Sequence, residues 1–220
     1  MATRQINIDQ FIEALDDLEK KEIPFALARA LQDIGQIGKR AIQSNINNNV
    51  DNPTKFTRQA AFATKVQKGE SSVTFGVKDY QGSYLFSMFE GGQRELKPFE
   101  TRFSKTKQQG EQYLVPHPNT PRDEFGNIPL ALVKRIMEGA KERPGKFGYY
   151  MTKRQIRYRP AGGESTPVYN LRTKSEGFAY VPRLSIEPAI DASMDAFPDL
   201  FKQYLEDGIE DSLESGRYRK

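Results

Sequence analysis

The pattern of apolar residues predicts an α+β fold. An antiparallel β-sheet packs against a long N-terminal helix, and an amphipathic helix closes the chain. Three observations carry this expectation. Apolar residues recur at helical spacing from Phe25 to Ile46. Val73, Phe75 and Val77 alternate as strand residues do. From Ile190 to Leu213 an apolar stripe returns to helical spacing.

The first helical region covers Ile8 to Asn47 as two helices, or as one bent helix, divided near Pro24. Asp9 is suited to cap it, with Phe11, Ile12, Leu15 and Leu18 on its apolar side. Pro24 falls in a first helical turn, where a missing amide proton costs little. Gly35 and Gly38 each lower helicity by about 1 kcal/mol relative to alanine. Their spacing puts them near one face, as tight packing against another helix requires, whether within the chain or between copies. The asparagines of 45–52 and Pro53 then end the helical pattern.

Arg58–Val66 and Ser72–Val77 read as two strands joined at Lys68-Gly69-Glu70. Tyr84–Arg94, YLFSMFEGGQR, follows as a short helix with Leu85, Phe86 and Phe89 on its docking side. Gly91 and Gly92 suit its end, because a left-handed backbone is cheap for glycine. Glu90 and Arg94 lie four apart, a spacing that pairs charges only on a continuous helix. A contact with another subunit is therefore the sharper expectation for both. Ser104–Glu111 is a polar loop, Tyr113–Pro116 an extended segment and Ile128–Ala140 a helix, broken at 144–148.

In 149–180, Ile156, Tyr158, Val168, Tyr169, Phe178 and Tyr180 are interleaved with lysine and arginine. Such a segment is either a basic β-ribbon burying its aromatics, or a surface that stacks bases and neutralises phosphates. In the last helix, Ile190, Met194, Phe197, Phe201, Tyr204, Leu205, Ile209 and Leu213 form the stripe. Pro188 sits in its first turn, and Pro198 predicts a bend or a one-turn break.

Composition narrows the chemistry. With 220 residues the chain can build one full core or two small ones. We read it as a single domain over 1–220, with 104–174 as a loop-rich or β-ribbon insertion. A mean hydropathy of −0.70 and 28% charged residues describe a wet surface. No apolar run approaches the roughly 20 residues of a membrane helix. The opening MATRQINIDQF lacks the apolar core of a signal peptide. The absence of cysteine removes disulfides, thiolate catalysis and cysteine-held zinc. The single histidine, His117, stands between two prolines with no nucleophile or carboxylate at a recognised spacing, and reads as a loop-packing residue. Asp123-Glu124 is too short to be a calcium loop. The expectation is no enzyme, no cofactor and no metal.

Charge is unevenly spread. Lys141–Lys174 holds nine basic residues against two acidic ones, whereas Glu187–Glu214 holds nine acidic residues against Lys202 alone. Opposed patches of this kind steer oriented contacts. The acidic helix would also repel a phosphate backbone or an anionic membrane.

The phrases EIPFALARALQDIGQIGKRAIQ, YLFSMFEGGQR and VPRLSIEPAIDASMDAFPDLFKQYLEDGIEDSL, taken in order around a β-hairpin, resemble the tail-completion or neck proteins of long-tailed bacteriophages. The nearest in kind is the group that includes the minor tail protein Z of phage lambda. The resemblance covers most of the chain and is least specific over Ser104–Lys174, where this sequence departs from shorter members. Glu90, Gly91, Gly92 and Arg94 match the family's junction after the short helix.

The resemblance implies a non-enzymatic α+β protein whose curved sheet packs on a long helix. It implies a homo-hexameric ring at the head-proximal end of the tail, around the DNA channel, assembled in the host cytoplasm and retained in the virion. The implied partners are a head–tail connector or adaptor and a tail terminator or tail tube protein, with genomic DNA nearby. The expected contact residues are Glu90, Gly91, Gly92, Arg94, Lys153, Arg154, Arg157, Arg159, Phe201, Tyr204 and Leu205. The competing expectation is a nucleic-acid-binding protein that uses the basic aromatic segment 149–180.

Overall fold

A computed structural model describes residues 15–16, 18–97, 99–101, 112–139, 147–173 and 179–214. The fold is α+β, with a long N-terminal helix, antiparallel sheets and further helices including a C-terminal one. It divides into two compact units. The first comprises Met1–Asn49, Lys55–Ser83 and Leu184–Lys220; the second comprises Val50–Thr54 and Tyr84–Arg183.

The first unit is organised by α1, the 27-residue helix Ile23–Asn49, which a π-helical turn at Leu18–Glu22 precedes. Pro24 lies in its first turn, so the described segment is one helix beyond that turn. Two faces of α1 are buried at once. The short helix α2 (Lys55–Arg58) and a hairpin of β1 (Ala61–Ala63) and β2 (Phe75–Val77) follow. The strands pair antiparallel, with Ala61 opposite Val77 and Ala63 opposite Phe75.

Both strands are shorter than the apolar pattern suggests. Their turn closes through Glu70, whose amide donates to the Gln67 carbonyl at 3.1 Å and whose carboxylate accepts the Gln67 amide at 2.8 Å. The hairpin lies on the glycine side of α1. A Cβ at Gly35 would stand 2.6 Å from Val73 Cγ2, and one at Gly38 would stand 2.5 Å from the Phe75 ring. The expected helix crossing at these glycines is thus a helix-on-hairpin contact. Gln32 adds a polar tie, its Oε1 accepting the Val66 amide at 3.0 Å.

The C-terminal helix of the same unit runs antiparallel to α1. This helix, α5, spans Glu187–Glu214. At one end Ser193 Oγ donates to the Ile34 carbonyl at 3.1 Å. At the other, Ser212 Oγ donates to the buried Glu22 carboxylate at 2.7 Å. That carboxylate fits because position 208 is glycine: a Cβ there would stand 2.7 Å from Glu22 Oε2. The helix is continuous through Pro198, so the expected one-turn break does not occur. Its apolar stripe is also not wholly buried. Ala189 and Ser193 face inward, while Ile190 and Met194 are 47% and 63% exposed. Small side chains let the two backbones approach; Ser193 Oγ is shared between the Ile34 carbonyl and, at 2.7 Å, the Ala189 carbonyl of its own helix.

The chain enters the second unit within α3 (Asp79–Phe89). This helix begins earlier than its apolar residues predict. Leu85 is buried, but Phe86 is 63% exposed and does not dock the helix as expected. The larger sheet has the order β4-β7-β6-β5: β4 (Gln112–Pro116), β7 (Thr166–Thr173), β6 (Gln155–Arg159) and β5 (Gly148–Met151). The helix α4 (Leu130–Gly139) covers one face, with Leu132 and Ile136 packed on Leu114, Ile156, Tyr169 and Leu171.

Between Ile156 and Arg157 the register shifts and leaves Val168 unpaired across the sheet. The carbonyl of this bulge accepts the His117 amide at 2.9 Å and Thr120 Oγ1 at 2.6 Å. The His117 imidazole stays within its loop, Nδ1 accepting the Asn119 amide at 3.3 Å. The polar loop expected at Ser104–Glu111 lies outside the described residues, as do Lys141, Arg143, Lys146 and Lys174 of the basic segment.

Replacing Gly38 by alanine tests the helix-on-hairpin contact. The helix gains up to about 1 kcal/mol, but the Phe75 ring must be displaced at about 1–3 kcal/mol. The expected result is a lower midpoint in urea unfolding, recovered when Phe75→Leu is combined with Gly38→Ala.

Candidate functional site

The Tyr84–Arg94 junction is built around a helix end. The amide of Gly91 donates to the Ser87 carbonyl at 3.0 Å and its backbone turns left-handed, φ +73°. Glycine is required there twice over. A Cβ would also stand 2.8 Å from Pro182 Cδ and 3.0 Å from the Tyr180 carbonyl oxygen. The following strand β3 (Gly92–Gln93) pairs antiparallel with β8 (Ala179–Tyr180), and the Arg183 amide donates to the Met88 carbonyl at 2.8 Å. The glycines therefore seat the 179–183 segment against the end of α3.

Arg94 does not pair with Glu90. Its guanidinium reaches Glu100, donating from Nη1 at 2.6 Å and from Nη2 at 2.7 Å. Glu100 is fully buried. It also accepts the Lys97 amide at 2.7 Å and the Leu114 amide at 3.0 Å. Since β4 pairs only with β7 among the described strands, Glu100 satisfies an amide on the sheet's otherwise open edge. The Arg94 guanidinium carbon lies 4.9 Å from the Tyr113 ring centroid, and the Tyr113 hydroxyl donates to the Arg94 carbonyl at 2.7 Å.

Burial alone would raise the Glu100 pKa. The bonds from Arg94 and from the two amides outweigh it and hold the carboxyl below its usual range. Nearby Tyr169 is pushed up to about 12, by burial first and then by the Glu100 charge. This is a saturated structural clasp, and the sequence pointed to Arg94 without its partner. A glutamate six residues on, in a segment without helical pattern, carries no spacing signal. Glu90 remains exposed, with no ion-pair partner among the described residues.

The described part of the basic segment forms the antiparallel strands β5, β6, β7 and β8. Tyr150 and Tyr169 are buried, and Tyr149 meets Tyr158 across the sheet at 4.8 Å between ring centroids. Arg157 is engaged within the sheet: Nε donates to Ser165 Oγ at 3.1 Å, Nη2 to the Ser165 carbonyl at 2.7 Å and Nη1 to Gln155 Oε1 at 2.6 Å. The Arg159 guanidinium lies 5.4 Å from the centre of the Tyr150 ring. The Tyr150 hydroxyl is held below its usual pKa, chiefly by its hydrogen bond with Ser165, then by Arg159 and Arg157, against burial. Tyr158 and Tyr180 stay 38% and 39% exposed. Phe178 lies outside the described residues.

Lys153 and Arg154 differ from these arginines. They occupy the tight turn between β5 and β6, both exposed. The Thr152 amide donates to the Gln155 carbonyl at 2.8 Å, and the Gln155 amide donates to Thr152 Oγ1 at 3.0 Å. The Arg154 carbonyl accepts the Leu171 amide at 2.7 Å, so this positive corner is held by its own backbone and by β7.

On α5, Tyr204 donates to the Asp33 carboxylate and lies under Arg29, whose guanidinium carbon is 4.2 Å from the ring centroid. The Asp33 bond first, and burial second, raise the Tyr204 pKa. Phe201 stacks on Phe197 at 5.9 Å, and Leu205 is half-buried. An open groove of about 310 Å³ runs beside Arg29, Asp33, Lys68 and Tyr204. Among the described residues no three histidine or carboxylate side chains gather as a metal site needs, and no helix is long and apolar enough to cross a membrane.

Arg94→Ala leaves the Glu100 charge buried without its counter-ion, at a cost of about 3–5 kcal/mol. Amide exchange at Leu114 should accelerate accordingly, with Glu100→Gln milder because an amide oxygen still accepts. Because the Glu100 pKa is depressed on folding, its stabilisation is present above the unfolded carboxyl pKa and is lost as pH falls through the folded value. Acid should therefore expose Leu114 in the wild type and change its protection less in Glu100→Gln.

No known protein family, curated protein or solved structure matches this chain.

Proposed function

We propose that this chain is a non-enzymatic structural subunit of the neck, or head-proximal tail end, of a long-tailed bacteriophage. It forms a ring, six copies by the resemblance, that completes the tail and joins it to the head connector around the DNA channel. Its partners in this reading are further copies of itself, the connector or adaptor and a tail terminator or tail tube protein. It is assembled in the host cytoplasm and carried in the virion.

The observation that carries the reading, beyond the sequence phrases, is the segregation of charge. The second unit presents cations on a rigid turn, and the first presents a helix whose exposed side is a run of carboxylates. A ring built head to tail needs each chain to carry both halves of one contact. The Gly91–Arg94 junction supports the same reading in a different way. Its glycines and Arg94 serve the fold around α3 and β4, which fits a junction kept for architecture rather than for reaction chemistry.

The burial of Tyr150 and Tyr169 and the engagement of Arg157 weigh against the single-strand-binding alternative. The acidic face of α5 weighs against it as well.

Removing the chain from the phage that encodes it should leave filled heads and finished tails unjoined, visible as separate particles by negative-stain microscopy. Supplying the wild-type chain should restore joining. Normal yields of joined, infectious particles without it would overturn the proposal.

A further inference from the structure

The two exposed charge clusters fit one another, and this inference rests on the assembly reading above. On α5, Asp191, Asp195 and Asp199 succeed one another at four-residue spacing and are all exposed. Like charges at this spacing repel and destabilise a helix by about 0.2–0.5 kcal/mol per pair. Beside them stand Ile190 and Met194, 47% and 63% exposed. The helix thus shows an apolar strip bordered by a ladder of carboxylates. On the sheet, Lys153 and Arg154 project from a turn locked by the Thr152–Gln155 bonds and the Leu171 amide. Arg172, exposed on the neighbouring strand, adds positive potential. None of Lys153, Arg154, Asp191, Asp195 and Asp199 has an ion-pair partner among the described residues.

We infer that the Lys153–Arg154 turn of one copy docks on the Asp191/Asp195/Asp199 ladder of a second copy, with Ile190 and Met194 covered at the same contact. Both partners of the contact are ordered before they meet, one by helix hydrogen bonds and one by a locked turn. Little side-chain or loop ordering is then lost on association beyond that of the charged side chains themselves. Opposite potentials set the direction of approach, and head-to-head pairing would bring like charges together. The contact is therefore heterologous: turn to helix, never turn to turn. A nucleic acid would meet the turn equally well but would be repelled by the ladder, so it cannot occupy both surfaces.

The chain contains no cysteine, so single engineered thiols report the contact without background. Arg154→Cys and Asp195→Cys proteins are mixed in equal amounts under mild oxidation and separated on non-reducing gels. The expected product is the mixed dimer, in severalfold excess over either symmetric dimer, with the excess falling as salt is raised. A third protein, Asp195→Cys carrying Asp191→Lys and Asp199→Lys, should lose the excess while melting as the parent does. Symmetric dimers in equal or greater yield, or no mixed dimer at the highest soluble concentration, would overturn the contact. Either result leaves the neck assignment to stand or fall separately, on whether particles join without the chain.

Discussion

The first unit depends on one helix being approached from two sides. Over Ile23–Asn49, α1 takes the hairpin on Gly35 and Gly38 and takes α5 along a row marked by Ser193, Gly208 and Ser212. In each case a small residue lets a neighbour come within reach of the helix. At Gly38 that neighbour is a Phe75 ring; at Gly208 it is the Glu22 carboxylate. Packing density in protein interiors leaves little room for an added methyl at such points. The composition of α1, rich in alanine and interrupted by glycine, is the record of this crowding. It also explains why a helix with two costly glycines forms at all, since tertiary burial supplies what propensity withholds.

The second unit solves a different problem. A four-stranded sheet has edges, and β4 is one of them. Glu100, drawn from a segment with no sheet pairing of its own, accepts the Leu114 amide there and is neutralised by Arg94. A buried ion pair adds little net stability when complete, but it is costly to break. Its value lies in fixing where the chain after α3 runs. Gly91 does the same at the other end of that segment by admitting Pro182 and Tyr180.

Much of this was legible in the residues. Helical spacing located α1, α4 and α5, alternation located the hairpin, and Gly91 marked the end of α3 because only glycine accepts that backbone cheaply. The aromatics of 149–180 marked strands, of which Tyr150 and Tyr169 are buried and Tyr158 and Tyr180 are not. What could not be read was decided by partners distant in sequence. Gly35 and Gly38 signal close approach, but not whether a helix or a hairpin approaches. The stripe on α5 overstated burial, because Ala189 and Ser193 count as weak apolar positions although they lie at the contact. Arg94 was visible and Glu100 was not, since Glu100 sits on a short helical turn at 99–101 whose sequence carries no helical pattern. Lys153 and Arg157 look alike in the sequence, yet one is exposed on a turn and the other is bonded to Ser165. Lys153 and its neighbour Arg154 are exposed and have no ion-pair partner among the described residues.

The second unit carries an exposed cationic turn, and the first carries a helix with exposed carboxylates. These complementary charges are what the proposed ring of copies draws on. Electron cryomicroscopy of intact particles tests that claim most directly. Density for this chain is expected in a closed ring between head and tail, with the Lys153–Arg154 turn of each copy against α5 of the next. Particles that lack the chain, or that hold it with α5 facing solvent and the turns facing DNA, would contradict it.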